Sequence, residues 1–365
     1  MEHRQRRLRI AFLDSWLQSA ADGSGTAVAI GGLWAELQRQ GHHVDRVAPP
    51  SISVWAHMPL TLRRLMFNLL LPLRLRHTHY DLVIGFDWDG VWWPRTRPYV
   101  CSIKGIIAEE LQHERGRVRL LFTLLAKLEG TNARHAARVI TTSEYCRRKI
   151  VEHYNVPAER ISIVPEGIDL AAWNGASSIQ HSTCYVQTIL CVARHYPRKH
   201  IGDLIQAFAL VHTRMPHARL RIVGDGPEHA NLVARAHRLG VAAKTTFTGS
   251  LSDEAVKHEY AQCDVFCLPS VQEGFGIVFL EAMAASKPVV STTAAAIPEV
   301  VRHDETGVLV PPGDVHALAG ALLFLLNNDE VCTRYGMNGR RRLQQYDWHR
   351  VAETFLQEVE QIMQG

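Results

Sequence analysis

The stretch DVFCLPSVQEGFGIVFLEAMAASKPVV, residues 264–290, runs from strand to helix to strand with short connections. DVFCLPS has the continuous apolar character of a buried strand, IVFLEAMAA reads as a helix, and KPVV begins another buried strand. A helix between two such strands indicates a parallel pair joined by a right-handed crossover. The turn EGFG is therefore expected at the carboxyl end of the first strand.

The same alternation extends over the rest of the chain. Segments such as LRIAFL, TAVAIGGLWAELQRQ, DLVIG and RVITT repeat it up to about residue 165, and a second series runs from VQTILCVA to GVLVPPGD. Between the two series the pattern lapses into NGASSIQHS. We therefore predict an α/β fold of two Rossmann-like, doubly wound domains that face an interdomain cleft, where function should lie.

The predicted boundaries follow these breaks. Residues 1–168 form the first domain, 169–184 a linker and 185–345 the second domain. Residues 346–365 form a C-terminal helix, with Trp348 at its start, that crosses back to the first domain. A length of 365 residues with 47% hydrophobic content is enough for two separate cores.

Composition excludes several classes of protein. The 40 basic and 36 acidic residues give a net charge of +4, too mild an excess to imply nucleic acid. No run approaches the about 18 apolar residues of a membrane span, and the basic N-terminus runs directly into a strand without an apolar signal region. The seven cysteines include no CxxC pair. We expect a soluble, reduced, cytoplasmic protein.

The EGFG turn carries the first candidate binding residues. Gly274 and Gly276 let the backbone approach a ligand, and the N–H groups of a helix start favour phosphate. Glu273 and Glu281 flank this turn, and carboxylates accept hydrogen bonds from sugar hydroxyls. The pattern predicts a sugar–diphosphate–ribose–base ligand, although Glu281 on a helix surface and Glu273 in a loop are also ordinary positions for glutamate.

Other strand ends add cations and glycine turns. Arg194 and Lys199 lie in VARHYPRKH, where they could neutralise a diphosphate or form a solvated basic loop. Ser24 and Gly25 in DGSGTAVAI, and Gly224 in IVGDGPE, mark turns that could expose N–H groups to the same ligand. No complete GxGxxG is present, which disfavours a dinucleotide site.

These motifs, in this order, resemble the retaining glycosyltransferases of family four (glycosyltransferases group 1), which have the two-Rossmann GT-B fold. The resemblance covers nearly the whole chain. It includes TTSEYCRRKI, ISIVPEGIDLAAW, ARHYPRKH, IVGDGP, FTGSLSDEAVKHEYAQCDVFCLPS and EGFGIVFLEAMAASKPVV, and it ends at AAAIPEVVRHDETGVLVPPGD.

The resemblance implies an activity and a set of roles. The activity is transfer of a sugar, with retention and without a metal or other cofactor, from a nucleoside-diphosphate sugar to a hydroxyl acceptor such as a glycan, glycolipid precursor or secondary metabolite. UDP-sugars are the most frequent donors in the family, so the resemblance favours a UDP-sugar. Glu273 would contact the donor sugar, Glu281 the ribose, and Arg194 and Lys199 the leaving diphosphate. Supporting backbone contacts would come from Gly25, Leu251, Gly274, Phe275 and Gly276.

Two positions depart from the family pattern. Lys104 stands where many members have a histidine, so it is a candidate site residue whose role the resemblance leaves open. Glu166 stands where asparagine is common. The sequence DWD at 87–89 is similar to a metal-binding motif of another glycosyltransferase fold, but we expect no metal here.

Two first-domain segments, 60–77 and 117–128, combine apolar residues with arginines. They suit helices packed on the sheet, or helices that dock on the inner face of a membrane. Two rival functions also stay open: a non-catalytic sugar-nucleotide-binding partner subunit, and another two-Rossmann enzyme such as an epimerase or a phosphorylase.

Overall fold

The computed structural model describes residues 7–15, 25–49, 59–94, 98–173 and 186–364. They form two compact units. Unit 1 contains the described residues 7–15, 26–167 and those from 348 onward, and unit 2 contains Gly25 and 168–347. Within the described residues the chain passes between units after Gly25, after Gly167 and after Asp347. Most of the predicted linker, from residue 174 on, lies outside the described residues.

Unit 1 is built on a six-stranded parallel sheet of order β2-β1-β3-β4-β5-β6. Its strands are β1 Arg9–Leu13, β2 His43–Val47, β3 Leu82–Phe86, β4 Tyr99–Ile103, β5 Arg138–Thr141 and β6 Ile161–Ile163. The helices of this part are α1 Gly25–Arg39, α2 Leu60–Arg74, α3 Ile107–Glu110, α4 Gly116–His135 and α5 Glu144–Tyr154. Every residue of β3 and β4 is buried, as expected for parallel strands covered on both faces.

Unit 2 repeats this architecture with the order β12-β11-β10-β7-β8-β9. Its strands are β7 Thr188–Val192, β8 Arg219–Val223, β9 Thr245–Gly249, β10 Val265–Cys267, β11 Val289–Thr292 and β12 Gly307–Val310. Its helices are α6 Ile201–Arg214, α7 His229–Arg238, α8 Asp253–Gln262, α9 Ile277–Ala284, α10 Ile297–Val300, α11 Val315–Leu326 and α12 Asp329–Arg342. The predicted fold class, two Rossmann-like α/β domains, is confirmed.

The last helix, α13 Trp348–Gln364, packs in unit 1. Phe355 and Val359 are buried in one cluster with side chains of β1, β3 and α1. The Trp348 ring lies against Gly32 of α1 and against Gly167, where an added Cβ would come within 2.2 and 2.4 Å of ring atoms. Helix α13 therefore completes a core whose strands lie far earlier in the chain.

None of the helices in the described part of the chain has the length and apolar character needed to cross a membrane.

Candidate functional site

The sheet of unit 2 reverses its strand order between β7 and β10. Helical connections leave neighbouring strands toward opposite faces at such a point, which opens a crevice at the carboxyl ends of the strands. The loop after β7 carries Arg194 and Lys199, and the turn after β10 carries Glu273. The fold therefore places residues that are about 75 positions apart in sequence at one edge of the sheet.

Direct hydrogen bonds hold these two loops together. Val271 N–H and the Ser270 hydroxyl both donate to the carbonyl oxygen of Arg198, at 2.9 and 3.1 Å. Lys199 Nζ lies 2.5 Å from Glu273 Oε1, and the two side chains are only 14% and 10% exposed. Lys199 and Glu273 are predicted from sequence to contact different parts of a ligand, and this ion pair was not predicted.

The turn between β10 and α9 has a fixed backbone. Gly276 has φ of 94° immediately before α9, and a Cβ at this residue would lie 2.6 Å from the Phe279 ring. Phe275 is buried and meets Tyr346 edge-on, with ring centroids 5.5 Å apart. The first N–H groups of a helix have no intrahelical acceptor, so this rigid start of α9 suits an anion.

Glu281 lies within α9 and is held by Tyr260, a residue that the sequence motifs do not identify. Glu281 Oε2 accepts a hydrogen bond from the Tyr260 hydroxyl at 2.8 Å. Burial raises the pKa of Glu281 to about 7, with Tyr260 opposing the shift and Asp253 adding to it. Tyr260 is on the buried face of α8, and a buried tyrosine hydroxyl needs an acceptor. The need of a buried tyrosine hydroxyl for an acceptor is the feature of the sequence that could have predicted this contact.

Gly224 and Leu251 follow β8 and β9 at the same edge of this sheet. Gly224 has φ of 116°, and a Cβ there would come 2.1 Å from the carbonyl oxygen of Ala193, so only glycine fits. Its N–H donates to the carbonyl oxygen of Gly249 at 2.9 Å. Leu251 is partly buried against the core of unit 2.

The remaining predicted site residues come from the first half of the sequence. Gly25 is the first residue of α1, and Ser24 lies outside the described residues. Lys104 follows β4 directly, and its Nζ lies 3.2 Å from Glu166 Oε1. The two positions that depart from the family pattern therefore form an ion pair with each other.

This pair is nearly closed to solvent, since both side chains are 7% exposed. Burial raises the pKa of Glu166, and the charge of Lys104 opposes that rise. Among the described residues Glu166 Oε2 has no hydrogen-bond partner. The pair is a structural unit, because losing either charge would leave the other buried without compensation.

Asp89 of the DWD motif joins the loops that follow β1 and β3 in unit 1. It is buried and accepts hydrogen bonds from Ser15 N–H at 2.8 Å, from the Ser15 hydroxyl at 2.6 Å and from Asn68 Nδ2 at 2.8 Å. Arg64 lies 3.5 Å from the same carboxylate. These bonds account for the motif as a link between strand ends.

Two parallel six-stranded sheets of these strand orders, with glycine turns and charged side chains at strand ends, define a protein of the GT-B glycosyltransferase class. Residues 186–342 match the family model described as glycosyl transferases group 1, and residues 23–172 match the model described as glycosyltransferase family 4. The chain belongs to this glycosyltransferase family, as the motifs indicate.

Individual proteins agree with this assignment. The chain is 32% identical over 298 residues, 74% of its length and 75% of the relative, to a GDP-mannose-dependent α-(1-6)-phosphatidylinositol monomannoside mannosyltransferase of Mycobacterium tuberculosis. It is 33% identical to a phosphatidyl-myo-inositol mannosyltransferase of Mycobacterium leprae, over 61% of the chain but only 59% of that relative. The structure of sucrose-phosphate synthase from Thermosynechococcus elongatus shares the fold, with a TM-score of 0.79 at 22% identity over 98% of this chain and all of that one.

Proposed function

We propose that this glycosyltransferase moves a sugar, with retention of anomeric configuration, from a nucleoside-diphosphate sugar to a hydroxyl acceptor, and that it needs no metal. The observation that carries the proposal is the set of side chains that lie where the strand order of unit 2 reverses, between β7 and β10. There the Lys199–Glu273 pair joins the loops that follow β7 and β10, and the second of these loops leads into α9, which carries Glu281.

Each group suits one part of such a donor. Arg194, Lys199 and the N–H groups at the start of α9 supply positive charge for the diphosphate. Glu273 and Glu281 supply acceptors for hydroxyl groups of the sugar and of the ribose. In the ligand-free chain Lys199 and Glu273 neutralise each other, so a bound donor would share Lys199 between its phosphate and the carboxylate of Glu273.

The proposed reaction needs no nucleophile from the protein. The acceptor hydroxyl attacks the anomeric carbon from the face that the phosphate leaves, so a new carbon–oxygen bond forms as the bond to the phosphate oxygen breaks. The hydroxyl proton passes to the departing phosphate oxygen. Cations aimed at that oxygen stabilise the charge that develops on it, which makes Lys199 and Arg194 the main catalytic groups.

The nucleotide has two candidates. Family frequency favours a UDP-sugar, whereas the relative from M. tuberculosis is described as dependent on GDP-mannose. The experiment is incubation of the full chain with UDP- and GDP-sugars in the presence of EDTA, with release of nucleoside diphosphate and the anomeric configuration of the product as readouts. Release with retention supports the proposal. Inverted product, or a requirement for metal, would contradict it.

The same experiment separates the rival functions. A non-catalytic partner subunit would bind a nucleotide sugar, measured as a rise in melting temperature, without releasing nucleoside diphosphate. An epimerase would change the sugar while the diphosphate stays attached, and a phosphorylase would require inorganic phosphate.

We propose further that the acceptor is lipid-linked and that unit 1 docks on an anionic membrane surface. The exposed face of α2 carries Leu69 and Leu73, at 57% and 64% exposure, while Phe67 and Leu71 are buried in the core. On α4, Leu120 is 75% exposed. Exposed leucines on helices that also carry arginines suit the boundary between headgroups and acyl chains.

Co-sedimentation with vesicles tests this docking. We expect binding to vesicles that contain anionic lipid at low salt, weaker binding at high salt, and a large loss in the Leu69→Ser/Leu73→Ser variant. Phe324→Ser is the matched control, since Phe324 is 45% exposed in unit 2. If the Leu69→Ser/Leu73→Ser variant bound vesicles as well as Phe324→Ser, the docking proposal would be contradicted. The proposed transfer reaction would not be affected by that result.

A further inference from the structure

The loops that follow β7 and β8 bring together His195, Asp225 and His229. One potential ligand atom of each residue lies within 4.8 Å of the others, and this is the one such group found among the described residues. His195 Nδ1 and His229 Nδ1 are 3.2 Å apart, and His229 Nδ1 is 3.8 Å from Asp225 Oδ1. Tetrahedral coordination at the Zn–N and Zn–O bond lengths of about 2.0–2.2 Å places ligand atoms roughly 3.3 Å apart.

We propose that His195, Asp225 and His229 form a binding site for a divalent transition-metal ion, with Zn²⁺ as the preferred ion and water as the fourth ligand. Two imidazole nitrogens and a carboxylate are ligands that Zn²⁺ accepts, and three protein ligands with one open position are a common arrangement. None of these three residues is among those proposed for the diphosphate, although His195 follows Arg194 directly, and the site does not depend on the proposed function.

Backbone hydrogen bonds organise the three ligands before any ion binds. His195 N–H donates to the carbonyl oxygen of Asp225 at 2.9 Å, and the carbonyl oxygen of His195 accepts from Glu228 N–H at 3.0 Å. A Cβ at Gly226 would come 2.8 Å from the His195 nitrogen, so this close approach requires glycine. The strand-end loops therefore hold the ligands within a small space.

The ligand carboxylate is also oriented, because Asp225 Oδ1 accepts from Gly226 N–H at 2.7 Å. Such a second bond to a ligand strengthens metal sites. Solvent can reach the ion, since the side chains of Asp225 and His229 are 61% and 36% exposed, whereas His195 is fully buried.

The positions of the imidazole protons determine the zinc affinity that we expect. Two facing Nδ1 atoms at 3.2 Å can share a proton when no ion is bound, whereas an ion that binds both atoms requires both to be without a proton. The proton of His195 would then sit on Nε2, which is buried and has no acceptor among the described residues. Because loss of this outer partner typically costs 10–100-fold in metal affinity, we expect binding weaker by about that factor than at a site where both histidines have such a partner.

The test uses the full chain without a histidine tag. After equilibrium dialysis against Zn²⁺, metal analysis should find one ion per chain that His229→Gln and Asp225→Asn lose and that His237→Gln keeps. His237 is the matched control because it is an exposed histidine of the same helix. The two site variants change partly exposed side chains, so they avoid the buried His195.

Two further readouts do not depend on activity. Co²⁺ should give the visible absorption bands of a tetrahedral site in the wild type and in His237→Gln only. Zn²⁺ should raise the melting temperature of the same two proteins and leave that of His229→Gln unchanged. Equal Zn²⁺ content in the wild type and His229→Gln, or no retained Zn²⁺ at all, would overturn the proposal.

Discussion

Lys199 and Glu273 compensate each other's charge in a poorly exposed site, so a substitution of one has consequences for both. We expect Lys199→Ala to lower kcat by about 100-fold or more, because the cation beside the leaving phosphate is lost. The measurement is release of nucleoside diphosphate, with circular dichroism to confirm folding. Lys127→Ala, at an exposed lysine of α4, is the control.

The outcome for Lys199 separates two roles. If the lysine serves mainly to neutralise Glu273, the double variant Lys199→Ala/Glu273→Gln should be as stable and as active as Glu273→Gln alone. If it acts on the phosphate, the double variant should match the stability of Glu273→Gln but be less active. Near-normal turnover of Lys199→Ala itself would contradict its catalytic role.

Glu281 makes stability depend on pH. Its pKa is about 7 in the folded chain and 4.5 in a model compound, so between these values the folded state holds more protons than the unfolded state. The free energy of unfolding therefore falls as pH rises through this window, by at most roughly 3 kcal/mol at 1.4 kcal/mol per pKa unit.

Urea denaturation at pH 5, 6, 7 and 8 should show this dependence in the wild type. Glu281→Gln keeps an acceptor for Tyr260 but cannot ionise, so its stability relative to the wild type should increase with pH over the same range. Glu330→Gln, an exposed site on α12, should follow the wild type. A constant difference between Glu281→Gln and the wild type would show that the carboxyl group does not titrate there.

At the scale of single elements, α1 carries two adjacent glycines in different surroundings. An ideal Cβ at Gly32 would lie 2.2 Å from the Trp348 ring, whereas at Gly31 no heavy atom of the described residues lies within 4 Å. Gly32→Ala should destabilise the protein by about 1–3 kcal/mol through overpacking against Trp348. Gly31→Ala should stabilise it by about 0.5–1 kcal/mol, because alanine loses less backbone entropy in a helix.

Urea denaturation followed by tryptophan fluorescence compares the two variants directly. The pair is well matched, since the substitutions are chemically the same and lie one residue apart in one helix. Similar changes in unfolding free energy for both would mean that the packing of Trp348 on α1 is wrong.

The elements themselves were largely predictable from sequence, because buried parallel strands such as β3 and β4 are continuous apolar runs. Pro72 shows the limit of local reasoning at helix ends. The sequence predicts a helical segment over 60–77, whereas α2 runs through Pro72 and ends at Arg74, two residues beyond a proline that has no N–H to donate.

The positions of the candidate site residues at strand ends were predictable, whereas their contacts were less so. Strand ends fixed which loops carry Arg194 and Glu273, but the Lys199–Glu273 and Tyr260–Glu281 contacts depend on side-chain directions set by loop conformation and by the order of strands in the sheet. His195 and His229 show the same limit, because they are 34 positions apart and meet only through the pairing of β7 with β8.

Across the whole molecule, α13 makes the stability of unit 1 depend on the end of the chain. Phe355 is 1% exposed and packs in the cluster that contains side chains of β1 and β3. We expect Phe355→Ala to lower the stability of unit 1 by about 3–5 kcal/mol, the usual cost of removing a buried phenylalanine side chain. Each unit has its own hydrophobic cluster, so the loss should be confined to unit 1.

Hydrogen–deuterium exchange resolves the two units within the full chain. In Phe355→Ala, peptides from β1, β3 and α1 should exchange faster, while peptides from β7, β8 and β10 keep their protection. Gln357→Ala, on the exposed face of the same helix, should leave both patterns unchanged. Affinity for nucleoside diphosphate should also be preserved in Phe355→Ala, because the groups proposed to bind it belong to unit 2. Faster exchange in β7 and β10 would instead mean that the two units unfold as one cooperative body.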